Sequence, residues 1–443
     1  MAKRKRRNGA LIPRKTRAPE HHSSMSSIHR VLFHATFLEL IVAYQHGVFL
    51  SLVPRFRAWN RAFLDPRGID DQVQKMLRLT GRGDFRYVLH SAIVDNEVAL
   101  VALLHRCRPM HFTSDAVDLA AAHGHLRLTQ YFHEIKLLGS VDALDLAAAN
   151  GFFAVVKFLV TSYGVKAGTE KAIDEAAGNG HFDIVKFLHL YGFGATTMAM
   201  DKAVANKHAN IVQYLHKERT EGCTSVAMDA AALHGDFKMI EYLHANQTQP
   251  GCTTLAMDHA AAHGFLSVVE FLHTHRTEGC TVNAMDQAAA SGHLNVVQFL
   301  HCHREEGCTN HAIDYAAKNG YLKVVQYLHT NNLTTCSPLA MEFSCTSGSY
   351  EIMKYLHTTC KAPALPISLE MAARHGHANI VKYLVENKVT EVTNLAMELA
   401  IRYGHVNVVK YLHQSRAVKI YKSFMAVALK YQQQKIIQYL RRK

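Results

Sequence analysis

Proline is scarce. Nine prolines in 443 residues suit long helical or repetitive stretches and argue against a loop-rich fold, because proline breaks helix interiors. A membrane span is also lacking. The most apolar window, residues 31–53, carries His34, Glu39, Gln45 and His46, polar groups that a bilayer-crossing helix avoids. A soluble helix is expected there. The basic start runs into Pro13, Arg14 and Lys15 with no apolar segment behind it, so a secretory signal is not expected. An intracellular protein with reduced cysteines, in nucleus or cytoplasm, is. The patterns of common catalytic sites are missing too: there is no P-loop, G-x-S-x-G, H-E-x-x-H or G-x-G-x-x-G. No catalytic residue and no cofactor is expected.

What charge there is lies unevenly. Of the formal net charge of +13, residues 1–20 supply +7, with eight Lys and Arg against Glu20. The body is only mildly basic, which gives no reason to expect specific nucleic acid binding. The run Lys3, Arg4, Lys5, Arg6 and Arg7, with Arg14, Lys15 and Arg17 behind it, resembles a nuclear-localisation signal and implies importin as a partner. The alternative is a solvated basic tail with weak RNA affinity. Residues 1–27 have no apolar period and are expected to be disordered.

The chain repeats itself. "AMDHAAAHGFLSVVEFLH" from Ala256 returns as "AMDQAAASGHLNVVQFLH" from Ala284 and "AIDYAAKNGYLKVVQYLH" from Ala312. A central residue anchors thirteen copies. It is glycine in ten, among them Gly264, Gly292 and Gly320, and Asn96, Lys207 or Gln432 in the others. Anchors recur every 27–29 residues from 96 to 432. So regular a period predicts stacked supersecondary units, each unable to bury its apolar face alone. Each copy reads as two helices. Around Gly292, Ala284, Met285, Ala288 and Ala289 share one face, and Val296, Val297 and Leu300 form a second stripe. The anchor between them needs positive φ. Ser or Thr stands eleven residues before the anchor in ten copies, an N-cap position. Leu stands eight residues after it in twelve copies, with Phe132 the exception.

This pattern resembles the ankyrin repeat over roughly 88–443. Ala260, Ala261 and Gly264 match the family's first-helix signature directly, and "FLSVVEFLH" matches its second helix. The resemblance implies an all-α helix-turn-helix solenoid of about thirteen repeats, serving as a protein-binding scaffold and monomeric. Two departures stand out. The period is 28 rather than about 33, so the projecting finger should shrink to something like "RTEGC". Asp or Glu also replaces the signature histidine in eleven copies, from Asp118 to Glu398.

Residues 28–85, with "VLFHATFLELIVAY" and the lone Trp59, are expected to be a helical cap on the array. A sharper reading is an F-box-like motif within 31–63. Leu38, Leu40, Ile41, Leu52, Val53, Arg55, Trp59 and Phe63 resemble its spacing, without its leucine-proline opening. It implies a substrate adaptor of a ubiquitin ligase.

Several ladders look like chemistry. Cys223, Cys252, Cys280, Cys308 and Cys336 recur in register. Stacked helices lie about 8–10 Å apart, too far for bridging, so free thiols are expected. The densest zinc-like cluster, Cys302, His303, Cys308 and His311, lacks a usual zinc spacing, and no metal is expected. His stands nine residues after the anchor in ten copies, as in His273, His301 and His329. This ladder is expected to hydrogen-bond with the acidic one as a structural device. Partner binding is expected on the first-helix face, which the ankyrin resemblance implies is concave. There His259, Gln287, Tyr315 and Phe343 occupy one helical position in successive repeats.

Overall fold

The computed structural model describes residues 75–79, 84, 86–107, 109–246, 251–419 and 422–442. The basic run Lys3–Arg7, the F-box-like spacing of 31–63 and most of the expected cap lie outside the described residues. The chain divides into two compact units, residues 1–143 and 144–443. Among the described residues there are 26 α-helices and no strand.

The helices are short, from the eight residues of Lys171–Gly178 to the eleven of Phe153–Tyr163. Helices below roughly 12–15 residues are marginal alone in water, so these depend on packing. They come in pairs. In the Gly292 repeat, Val282–Ala290 runs into the anchor and Leu294–His303 returns. First helices lie against first helices of the neighbouring repeats, as Thr254–Ala262, Val282–Ala290 and Asn310–Lys318 do in sequence. The paired alanines permit that approach: Ala260, Ala261, Ala288, Ala289, Ala316 and Ala317 are all buried. Val296, Val297 and Leu300 are buried beneath them. The first unit is built the same way. Helices Tyr87–Val94, Val98–Cys107, Ser114–Ala122 and Leu126–Glu134 enclose Leu89, Ile93, Val101, Leu104, Leu128 and Phe132.

The anchor closes the first helix. Gly292 has φ of 82°, its N–H donates to Ala289 O at 3.1 Å, and the His293 N–H donates to Ala288 O at 2.9 Å. That is the Schellman pairing, which needs a left-handed residue. Asn96, Lys207 and Gln432 hold the same conformation, with φ of 57°, 64° and 54°. Glycine at 292 answers a second demand: a Cβ there would sit 2.5 Å from the Tyr321 ring of the next repeat.

Leu300 occupies the leucine position of its repeat and is 1% exposed. Leu300→Ala should cost about 2–5 kcal/mol through the cavity it leaves. Coupling runs between neighbours, so added hydrogen exchange should concentrate in residues 256–330. A uniform rise along the chain would contradict this.

Candidate interaction surface

The site is built on the first helices, and an inter-repeat bond sets their register. Asp258, six residues before its anchor, is buried. Its two oxygens accept from the next repeat's N-cap: Thr281 N–H at 2.8 Å and Thr281 O–H at 2.7 Å. Thr281 Oγ1 in turn accepts the Asn283 N–H at 3.1 Å. The same double bond joins Asp118 to Ser140, Asp145 to Thr169, Asp174 to Thr196, Asp201 to Thr224, Asp229 to Thr253 and Asp286 to Thr309. Asp314 and Glu370 take the hydroxyl bond, from Ser337 and Thr393. Burial pushes the Asp118, Asp201 and Asp314 carboxyls above their ordinary range, while bonds from Ser140, Thr224 and Ser337 pull them back. In the first copy His90 stands in the acid's place, and the Thr113 hydroxyl is buried without a partner.

The expected pairing of the acidic and histidine ladders is therefore corrected. The histidines reach instead for the residue seven past the next anchor. In several copies where that residue is tyrosine, Nδ1 meets its hydroxyl: His301 with Tyr327 at 2.8 Å, His329 with Tyr355 at 3.0 Å, His357 with Tyr383 at 2.9 Å and His413 with Tyr439 at 2.7 Å. Opposite Tyr214, the His189 Nδ1 accepts from Arg219 at 3.0 Å instead, and the rings keep an edge contact. Where it is phenylalanine, an edge contact remains, at 5.4 Å for His244 with Phe271 and 5.5 Å for His273 with Phe299. Nδ1 of His244 and of His273 then has no partner.

The shortened turns form their own stack. Arg276 pairs with Glu278, whose Oε1 also accepts the Cys252 N–H of the preceding turn at 3.2 Å. Arg304 pairs with Glu306 in the same way, and each arginine bonds the preceding thiol, Cys252 or Cys280. Burial pushes both thiols up to about 11. Eight of the nine cysteines have described side chains, and none of these eight is in a disulfide. Cys302, His303, Cys308 and His311 do not converge. His303 stacks on Phe299 and its Nδ1 bonds Phe299 O, while Cys308 Sγ faces Leu333 O at 3.7 Å. The described group whose ligand atoms do converge is His329, Cys336 and Cys360.

On the first-helix face, Tyr315 and Phe343 touch, with ring centroids 5.6 Å apart. Tyr315 is 37% exposed and Phe343 half-buried. Lys318 Nζ lies over both rings, 5.3 and 5.1 Å from their centres. This lysine was not singled out from sequence. It stands three residues after Tyr315, one helical turn along the same face. Gln287 is exposed. His259 is half-buried, with Nδ1 buried and unpartnered. The same helical position joins Glu175 to Lys202 at 2.5 Å further along, so residues of this column meet across repeats.

Thr253→Val removes the helix cap at Leu255 and one of the two bonds to buried Asp229. The expected loss is about 1–3 kcal/mol, read as a lower unfolding midpoint, with Thr253→Ser restoring most of it. The thiols give a second check. At pH 8 a thiol titrating at about 11 is thiolate only about once in a thousand, and alkylation needs thiolate. Native-state alkylation should label the exposed Cys302 well before Cys252 and Cys280. Equal rates would contradict the buried turn stack.

No helix among the described residues is long and apolar enough to cross a membrane. No curated protein matches the chain. Among solved structures it is similar to the pentatricopeptide repeat protein PPR10 in complex with an 18-nt psaJ RNA element. That likeness has 11% identity and a TM-score of 0.44, covering 97% of this chain and 77% of that one. A family model described as ankyrin repeats (many copies) matches residues 221–273 and 285–329, and one described as ankyrin repeats (3 copies) matches 341–423 and 369–443. Through these repeats, spanning 221–443, the chain belongs to the ankyrin-repeat family.

Proposed function

We propose that the chain captures a protein partner on its first-helix face, centred on Tyr315 and Phe343 and flanked by His259 and Gln287. Ankyrin repeats are protein-interaction modules, so the chain is an interaction scaffold. The observation that carries the finer reading is the aromatic pair left partly open beneath Lys318. Aromatic side chains beside a cation form the centre of many interfaces, because they bury much apolar area at low entropic cost. An apolar side chain carrying a neighbouring carboxylate suits this patch: the rings take the apolar part and Lys318 the charge. The shortened turns support the same face, since little surface projects beyond the helices for a partner to grip.

Replacing His259, Gln287, Tyr315 and Phe343 together with alanine should weaken partner capture at least tenfold. Helicity by circular dichroism should stay within a few per cent of the parent, because none of the four supplies the buried alanines or leucines. Quantitative capture from lysate, parent against variant, reads the outcome. Unchanged capture would place the binding surface elsewhere.

A further inference from the structure

We propose that His329, Cys336 and Cys360 form a binding site for one thiophilic metal ion, zinc(II), with one coordination position left open. Their ligand atoms, a ring nitrogen and two Sγ, all lie within 4.8 Å of one another. Zinc–sulfur bonds of about 2.3 Å in a tetrahedron set sulfurs about 3.8 Å apart, so side-chain rotation closing the cluster by about 1 Å completes it. All three residues are half-buried, shielded yet reachable. They come from three segments: the second helix Leu322–Thr330, the turn before Pro338–Ser347, and the turn after Tyr350–Thr358. The ion would therefore clasp two adjacent repeats.

Among the described residues this cluster occurs once. Counted from the anchors, its residues stand nine past one anchor, twelve before the next and twelve past the next. At neighbouring junctions the same positions read His244, Cys252 and Arg276, then His273, Cys280 and Arg304, then His301, Cys308 and Asn332. In the first two the arginine bonds the thiol beneath it and adds a positive charge, which excludes a cation. In the third the last position is an amide. Only at the Gly320–Gly348 junction is the covering residue a second cysteine, which makes the set His, Cys, Cys. Thiolate and imidazole donors together select zinc over the hard cations magnesium and calcium. Binding converts both thiols to thiolates and releases their two protons to solvent. Three protein donors leave the fourth position to water or to a donor from a partner.

The test uses the full chain, reduced and freed of metal, titrated with cobalt(II) as the probe and then with zinc(II). One equivalent of cobalt should produce tetrahedral visible bands and a sulfur-to-cobalt charge-transfer band, and zinc should displace both. Cys360→Arg and His329→Val each install a residue that other junctions already carry at that position, as Arg304 and Val385 do. Each should weaken cobalt binding at least tenfold with helicity retained. Cys302→Ser should leave binding unchanged. Four results would overturn the proposal: no charge-transfer band at one equivalent, a band that survives Cys360→Arg, a band lost with Cys302→Ser, or a Cys336–Cys360 disulfide whose reduced form takes up no cobalt.

Discussion

A carboxylate out of water must be answered by hydrogen-bond donors, and the order of this molecule follows from how that is done. Asp118, Asp145, Asp174, Asp201, Asp229, Asp258 and Asp286 are all buried and each takes two bonds from the next repeat. A bond to a charged group is worth about 1.5–3 kcal/mol net, but losing one partner leaves the larger cost of an unanswered buried charge. Each of these aspartates meets a Ser or Thr eleven residues before the next anchor. That same hydroxyl caps the next first helix. One residue pair thus starts a helix and sets the spacing between repeats.

The other ladders are less demanding, and they vary accordingly. The His-to-Tyr contact tolerates phenylalanine, since the ring packing survives and only Nδ1 of His244 or His273 goes unpaired. The ring that covers the anchor can be histidine, phenylalanine or tyrosine, as His293, Phe265 and Tyr321 show. A histidine there adds a bond to the carbonyl two residues before the previous anchor, as His377 does to Thr346 O at 3.0 Å. Packing rings accept substitution by shape, whereas each donor lost from a buried carboxylate leaves charge less well answered.

This difference also explains what was legible from sequence. The helix pairs, the positive-φ anchors, the Ser and Thr caps and the core leucines each depend on one position, so periodicity reveals them. Lys207 and Gln432 in left-handed anchors were readable for the same reason. Which ladder bonds which was not readable. The acid and the histidine share a repeat, fifteen residues apart, yet each points across the stack to a different column of the next repeat. Side-chain direction decides that, and sequence spacing alone does not carry it. Nearness in sequence was no better guide to which ligand atoms converge. Cys302 and His303 are adjacent in sequence, but neighbouring helical residues face different ways, so they diverge, whereas His329 and Cys360 converge from 31 residues apart.

Strict and tolerant columns together show where such a scaffold can acquire chemistry. The Asp–Thr bond and the alanine packing recur along the array, while the turns differ from junction to junction. The position twelve past the anchor accordingly varies, through Arg276, Arg304, Asn332, Cys360 and Lys388, and the backbone varies with it: Arg276 and Arg304 are extended, Asn332 and Lys388 left-handed. The first-helix column varies as well: Glu175 and Lys202 form an ion pair where Tyr315 and Phe343 form a ring pair. Each pair uses two adjacent repeats at one helical position, so the unit of variation is the junction. A single substitution changes one half of a contact, and two successive repeats must agree before a new surface appears. Partner recognition on such a stack is therefore expected to follow runs of neighbouring junctions, because only there do altered residues meet one another.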